Sequence, residues 1–358
     1  MVNLKYKKII ILIPVILLII FSIFAFFKFN QTKIHPFPKI TPDSDNSINI
    51  VFTTDKEYSP YLKVALKSLI LNKNKDSIYN IYILCIDLNK KIKQELKQFE
   101  QDKVKINTVV LKKSMLSDKI KTKVNIHYVS KADLFKIFIP EMFQNFDKIL
   151  YLDSDILVLG DLSSLYNTDI QDKYIAAVKR YDFSPKLKKE IFNCGVMLYN
   201  NKKWQEDNIS QKIVNTINEN KKNTTITQYP FNRVIKKKGV KLISPLYNNI
   251  VLPEADFSLS LYKKNYSPFC DTIRDYNDLK NKTIIVHFAG IQKPWYNPDM
   301  EFASLWWQYA HLINPDWKVE KRNIFKHALN SFAIVVKFME NKNFSDYIKN
   351  FYKTFKTS

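Results

Sequence analysis

Glycine is scarce in this chain. Among 358 residues only Gly160, Gly195, Gly239 and Gly290 occur. That excludes a GxGxxG dinucleotide fingerprint, a P-loop and any collagen-like repeat, each of which needs several glycines close together. Cysteine is scarcer still. Cys85, Cys194 and Cys270 cannot build a disulfide scaffold or a zinc site of four thiolates, and no CxxC pair exists. Acidic residues are outnumbered, 34 against 56 basic ones, for a formal charge of +22. The excess is mostly lysine in short, scattered runs such as Lys236-Lys237-Lys238. No nucleic-acid-binding motif accompanies them, so solvated faces explain the charge better than a nucleic-acid partner. Apolar residues are plentiful: 46% hydrophobic and 14% aromatic. This is material for a sizeable core and excludes global disorder. The length allows two ordinary domains, or one large α/β domain with appendages.

Residues 9–27 read IIILIPVILLIIFSIFAFF, nineteen positions without a charge. As a helix they span roughly 30 Å, about the thickness of a bilayer's hydrocarbon core. Phe26-Phe27-Lys28 offers no small-residue cleavage site, so a removable signal peptide fits poorly. The segment predicts a transmembrane anchor and a single-pass membrane protein, with a basic tail at 1–8. Lys5, Lys7 and Lys8 favour an N-terminus inside. Residues 28–47, polar and carrying Pro36, Pro38 and Pro42, read as a tether.

A folded part starts at Ile48. Apolar runs at 48–55, 78–88 and 104–111 alternate with helical patterns at 60–71 and 90–101, and a further helical stretch covers 131–143. This rhythm predicts an α/β fold with a mostly parallel sheet flanked by helices. The folded domain is placed at 48–300. Residues 301–358 are a helical extension, basic and aromatic, suited either to an anionic membrane surface or to packing on the domain.

At 147–159 the run DKILYLDSDILVL is broken by Asp153 and Asp155. Burying an unpaired carboxylate is costly, so the pair needs a cation or several donors. Two carboxylates spaced i, i+2 at a strand end can turn toward one point, where a divalent metal bridges a diphosphate. A turn stabilised by an aspartate side chain is the plain structural alternative.

Four segments occur in order: IVFTTDKEYSPYL, FDKILYLDSDILVLGDLSSLY, FNCGVMLYNNKKW and HFAGIQKPW. Together they resemble family 8 of the retaining glycosyltransferases over roughly two-thirds of the chain, from Ile48 to Trp295. The resemblance implies a GT-A fold, a UDP-sugar donor and Mn2+. It implies Asp153, Asp155 and His287 as metal ligands. Thr53, Asp55, Tyr58, Ser154, Gly290 and Lys293 would bind the donor nucleotide, and Lys136, Asn193 and Gln228 would act at the transferred sugar. Lys136 stands where the family usually carries arginine. Thr227-Gln228-Tyr229 stands against a family pattern of Asp-Gln-Asp, so the acid that normally touches the donor sugar or acceptor is replaced by Thr227. The implied activity is Mn2+-dependent transfer of a hexose, galactose or glucose, from a UDP-sugar to a glycan, glycolipid or glycoprotein. The competing reading is a catalytically silent GT-A domain that binds sugar nucleotide or glycan. The domain would face a Golgi-like lumen in a eukaryotic or viral protein, and the cytosol in a bacterial one.

Overall fold

The computed structural model describes residues 36–42, 46–121, 131–180, 192–219, 227–251, 258–290 and 292–320. Ten strands lie among them: β1 (Ile48–Thr54), β2 (Tyr79–Cys85), β3 (Val104–Val110), β4 (Lys148–Leu152), β5 (Ile156–Val158), β6 (Ile175–Lys179), β7 (Phe192–Asn200), β8 (Val240–Ile243), β9 (Asn249–Ile250) and β10 (Ile285–His287). Seven form one sheet in the order β3-β2-β1-β4-β7-β6-β8, and three form another in the order β5-β10-β9. Strands β1 to β4 are parallel where they pair. β7 runs antiparallel to both β4 and β6, and β8 is parallel to β6. The expected mostly parallel α/β sheet is present.

All seven residues of β1 are buried. Ile50 and Phe52 enter one core and Val51 the other, as a central parallel strand covered on both faces requires. The helix Ser59–Leu71 makes the β1–β2 crossover, and Leu62, Ala65, Leu66 and Leu69 face the same core at helical spacing.

The predicted helix at 131–143 is instead a 3-10 helix, Lys131–Phe138, followed by a short α-helix, Ile139–Met142. Pro140 explains the break. It has no N–H for the carbonyl four residues earlier, and the Tyr199 hydroxyl donates to that Lys136 carbonyl at 2.9 Å. Lys136 is thereby fixed in the core at 2% exposure.

Among the described residues no helix is long and apolar enough to cross a membrane. The expectation of a single-pass membrane protein is corrected accordingly; residues 9–27, on which it rested, lie outside the described residues. Part of the predicted tether lies against the domain. The Phe37 ring sits 4.7 Å from that of Phe138, and Ile40 N–H donates to Met142.

Past residue 300 the chain also packs inward. The helix Ala303–His311 buries Trp306 and Trp307 with Tyr61, Val64 and Trp295. Tyr61 stacks on Trp295 at 3.7 Å and donates to Glu320 Oε2 at 2.7 Å. For residues 301–320, packing on the domain is therefore the arrangement found. Residues 321–358 lie outside the described residues.

Candidate active site

The chain changes sheets at Asp153-Ser154-Asp155. β4 ends at Leu152 in the large sheet and β5 begins at Ile156 in the small one. Each residue between them is tied to a different segment. Asp153 N–H donates to Gly195 O at 2.8 Å, at the end of the β4–β7 ladder. The Ser154 hydroxyl donates to Thr53 O at 2.8 Å, and Asp155 O accepts from Phe288 N–H at 3.0 Å. The sequence-level break in the apolar run is thus where two sheets part.

Register then brings in the third group. β10 pairs antiparallel with β5, placing His287 opposite Ile156, beside Asp155. His287 Nε2 lies 3.7 Å from Asp153 Oδ2 and 3.3 Å from Asp155 Oδ1. The carboxylates are used asymmetrically. Asp153 Oδ1 faces Lys136 Nζ at 3.3 Å and receives the Tyr151 hydroxyl, while Asp155 Oδ2 receives Lys293. The other oxygen of each points to the imidazole. Three ligand atoms within 4.8 Å of one another result.

The imidazole is oriented by a relay that starts at a backbone N–H. Gly195 N–H donates to Asn193 Oδ1 at 2.8 Å, and Asn193 Oδ1 also accepts from Asn248 Nδ2 at 2.9 Å. That turns Asn248 Oδ1 to His287 Nδ1, 2.8 Å away. Nδ1 must therefore carry a hydrogen, and Nε2 is the ring atom that faces the aspartates. Gly195 leaves room for this. An added Cβ would stand 2.2 Å from His287 Cε1 and 2.8 Å from Asp153 Oδ2. Two carboxylate oxygens, one imidazole nitrogen, oriented ligands and a cradle without a side chain fit a divalent cation.

The charges inside the site are largely balanced by its own lysines. Burial would raise the Asp155 carboxyl, but Lys293 and His287 outweigh it and hold it well below the usual carboxylate range. Burial would lower Lys136, yet Asp133 and Asp153 hold it well above the ordinary ammonium value. Asp133 is raised, chiefly by burial. Cys194 is buried and pushed far above the normal thiol range by desolvation, so it packs and does not attack.

A cavity of about 310 Å³ opens over this cluster and gathers most of the residues singled out in the sequence: Thr53, Tyr58, Lys136, Asn193, Gln228 and Lys293, with Ser154 and Gly290 beside them. Gly290 has φ +89°, and an added Cβ would meet nothing within 4 Å. The backbone conformation, and not crowding, asks for glycine there. Asp55 does not line the cavity. Its Oδ1 accepts from Tyr58 N–H at 2.9 Å, at the start of the helix Ser59–Leu71. Gln228 lines the cavity but both ends of its amide are bound to β7: Nε2 donates to Phe192 O, and Oε1 accepts from Cys194 N–H at 3.1 Å.

The match to the glycosyl transferase family 8 model covers residues 49–298. The chain belongs to glycosyltransferase family 8. It is 26% identical to general stress protein A of Bacillus subtilis over 263 residues, covering 70% of this chain and 88% of that protein. It is 23% identical over 331 residues to the lipopolysaccharide 1,2-glucosyltransferase of Escherichia coli, covering 86% and 92%. The fold matches the crystal structure of the galactosyltransferase LgtC in complex with donor and acceptor sugar analogs. That match has a TM-score of 0.60 and 23% identity, and covers 75% of this chain and 96% of that one. The family-8 chain is thus an enzyme of the glycosyltransferase class with the GT-A fold.

Sequence reasoning passed over Asp133, Tyr151, Gly195 and Asn248. Asp133 carried a signal, an acid one helical turn before Lys136. Gly195 carried another, being one of only four glycines and two residues after Asn193. Asn248 carried none: it sits at the end of a 3-10 turn, Pro245–Tyr247, far from any motif.

Proposed function

We propose that this family-8 enzyme transfers a hexose, galactose or glucose, from a UDP-sugar to a glycan, glycolipid or glycoprotein acceptor, with retention of anomeric configuration and dependence on Mn2+. The observation that carries this reading is the convergence of one oxygen from each of Asp153 and Asp155 with Nε2 of His287. The glucosyltransferase named among the relatives supports a hexose donor.

Asp153, Asp155 and His287 would hold the ion, which supplies charge for the diphosphate; an imidazole among the ligands favours Mn2+ over Mg2+. Lys293, held by Phe288 O as well as by Asp155, is placed to meet the charge that develops on departing UDP. Gly290 lets backbone come close to the diphosphate. Tyr58, edge-on to Tyr61 and Trp295, offers the uracil ring a wall, and Thr53 and Ser154 fix the strand end beneath it.

In the reaction the bond between the anomeric carbon and the β-phosphate oxygen breaks. The acceptor hydroxyl oxygen bonds to the same face of that carbon, and its proton passes to the departing phosphate oxygen. Gln228 is an amide committed to β7, and the carboxylates of the cavity are held by Lys136 and Lys293, so same-face substitution fits better than a covalent intermediate. Gln228 then positions the β7 strand end that carries Asn193 and Gly195.

The test is release of UDP from UDP-galactose and UDP-glucose with Mn2+, with EDTA, and with Asp153→Ala or Asp155→Ala. Mn2+-dependent release that both substitutions abolish in a folded protein is the expected result. Full activity of either variant in EDTA would sink the assignment.

A further inference from the structure

We propose that Asp133 is the carboxylate that accepts the donor sugar's hydroxyl groups, in place of the acid replaced by Thr227. This deepens the donor reading above and rests on it.

Asp133 stands on the 3-10 helix Lys131–Phe138 and lines the cavity together with Asn193, Thr227 and Gln228. Its side chain keeps 13% exposure. The acceptor oxygens of Gln228, Asn193 and Asp153 that lie nearest are already engaged. Gln228 is tied at both ends to β7. Asn193 Oδ1 accepts from Gly195 and Asn248. Asp153 Oδ1 faces Lys136 and Tyr151. The one hydrogen of the Thr227 hydroxyl goes to Asp133 Oδ2 at 2.9 Å.

A carboxylate has about four acceptor positions. Asp133 uses one on Thr227 and one on Lys136, whose Nζ is 2.5 Å from Oδ1. The Tyr151 hydroxyl, 3.5 Å from Oδ1, lies much closer to Asp153. Acceptor capacity for further hydroxyl hydrogens therefore remains on Asp133. Lys136 lies nearer to Asp133, at 2.5 Å, than to Asp153, at 3.3 Å, so two carboxylates share one buried ammonium. Burying a second carboxylate against the same lysine is unfavourable unless something else uses it. Thr227 and Asp133 are in contact, so the acid expected at 227 has a counterpart one hydrogen bond away. A carboxylate introduced at 227 beside the existing one would bring two like charges together.

The experiment measures kcat/KM for UDP-galactose and UDP-glucose, and the Kd of UDP itself, all with Mn2+. The proteins are wild type, Asp133→Thr, Asp133→Asn, Thr227→Asp and the exchange Asp133→Thr/Thr227→Asp. Asp133→Thr and Asp133→Asn should each lower kcat/KM by about tenfold or more while the Kd of UDP stays within about twofold. Thr227→Asp alone should also lose efficiency. The exchange should recover most of the loss by moving the carboxylate across the hydrogen bond. An unchanged kcat/KM in the isosteric Asp133→Asn protein overturns the proposal. So does an equal weakening of UDP and UDP-sugar, or an exchange no better than the single variants. A wild-type protein that binds no UDP overturns the donor reading and this assignment with it, and is told apart from the other outcomes by that single measurement.

Discussion

His287 donates its Nδ1 hydrogen to Asn248 Oδ1 across 2.8 Å. The orientation of that amide is fixed in turn by Asn193 and the Gly195 N–H. A hydrogen-bond partner behind a ligating imidazole sets its tautomer and basicity, and its removal typically weakens metal binding by about 10- to 100-fold. Asn248→Ala should therefore raise the Mn2+ concentration needed for half-maximal UDP release by that order, with saturating activity recovered in large part. A metal titration of UDP release on both proteins checks it. An unchanged requirement would remove Asn248 from the relay.

Gly195→Ala probes the same centre from the opposite side. The new methyl would clash with His287 and Asp153, and the backbone behind it cannot yield without breaking the Asp153–Gly195 bond. Activity should fall at least about a hundredfold, with far-UV dichroism unchanged. A variant as active as wild type would show that His287 stands elsewhere during turnover.

Trp306 is 1% exposed between Trp295, Trp307 and Trp317. Trp306→Ala should destabilise the protein by about 3–5 kcal/mol, the range for a buried aromatic cut to alanine. Urea denaturation checks it. A loss under about 1 kcal/mol would mean the helix Ala303–His311 is dispensable to the fold.

Asp161 gives a pH signature away from the active site. Partial burial would raise its carboxyl, but hydrogen bonds from Ser163, Asn74 and Ser77 outweigh that and hold it at about 2. An unfolded aspartate titrates near 3.9. The contribution is therefore complete above about pH 4 and is lost as pH falls toward 2. Wild type should exceed Asp161→Asn in urea midpoint at pH 6, and the gap should narrow at pH 3 and below. A gap that widens on acidification would contradict the assignment.

The parallel half of the sheet was legible because a strand buried on both faces is a continuous apolar run, as in Ile48–Thr54. Asp153 and Asp155 were legible because they interrupt such a run, and His287 because it stands within a motif. The 3-10 turn at Lys131–Phe138 was not, since the apolar spacing there suits a helix and only Pro140 opposes it. Asn248 and Asp133 escaped because each takes its meaning from a partner distant in the chain, His287 in one case and Thr227 in the other. Gln228 lines the cavity, but a sequence motif does not say which way its amide is tied. The apolar segment at 9–27 lies outside the described residues, and no described helix takes its place.

The position of Asp153-Ser154-Asp155 between two sheets makes the site behave as a gauge. Asp153 moves with β4 and β7, while His287 and Lys293 move with β10 and the loop after it. Close-packed sheets slide little without repacking. A small slip of one sheet against the other changes the 3.7 Å between His287 and Asp153 before it exposes any core, while Asp155, tied to Phe288, stays with His287. If the proposed ion is held there, substitutions deep in either core, far from substrate, should first register as a changed demand for it, and only later as unfolding.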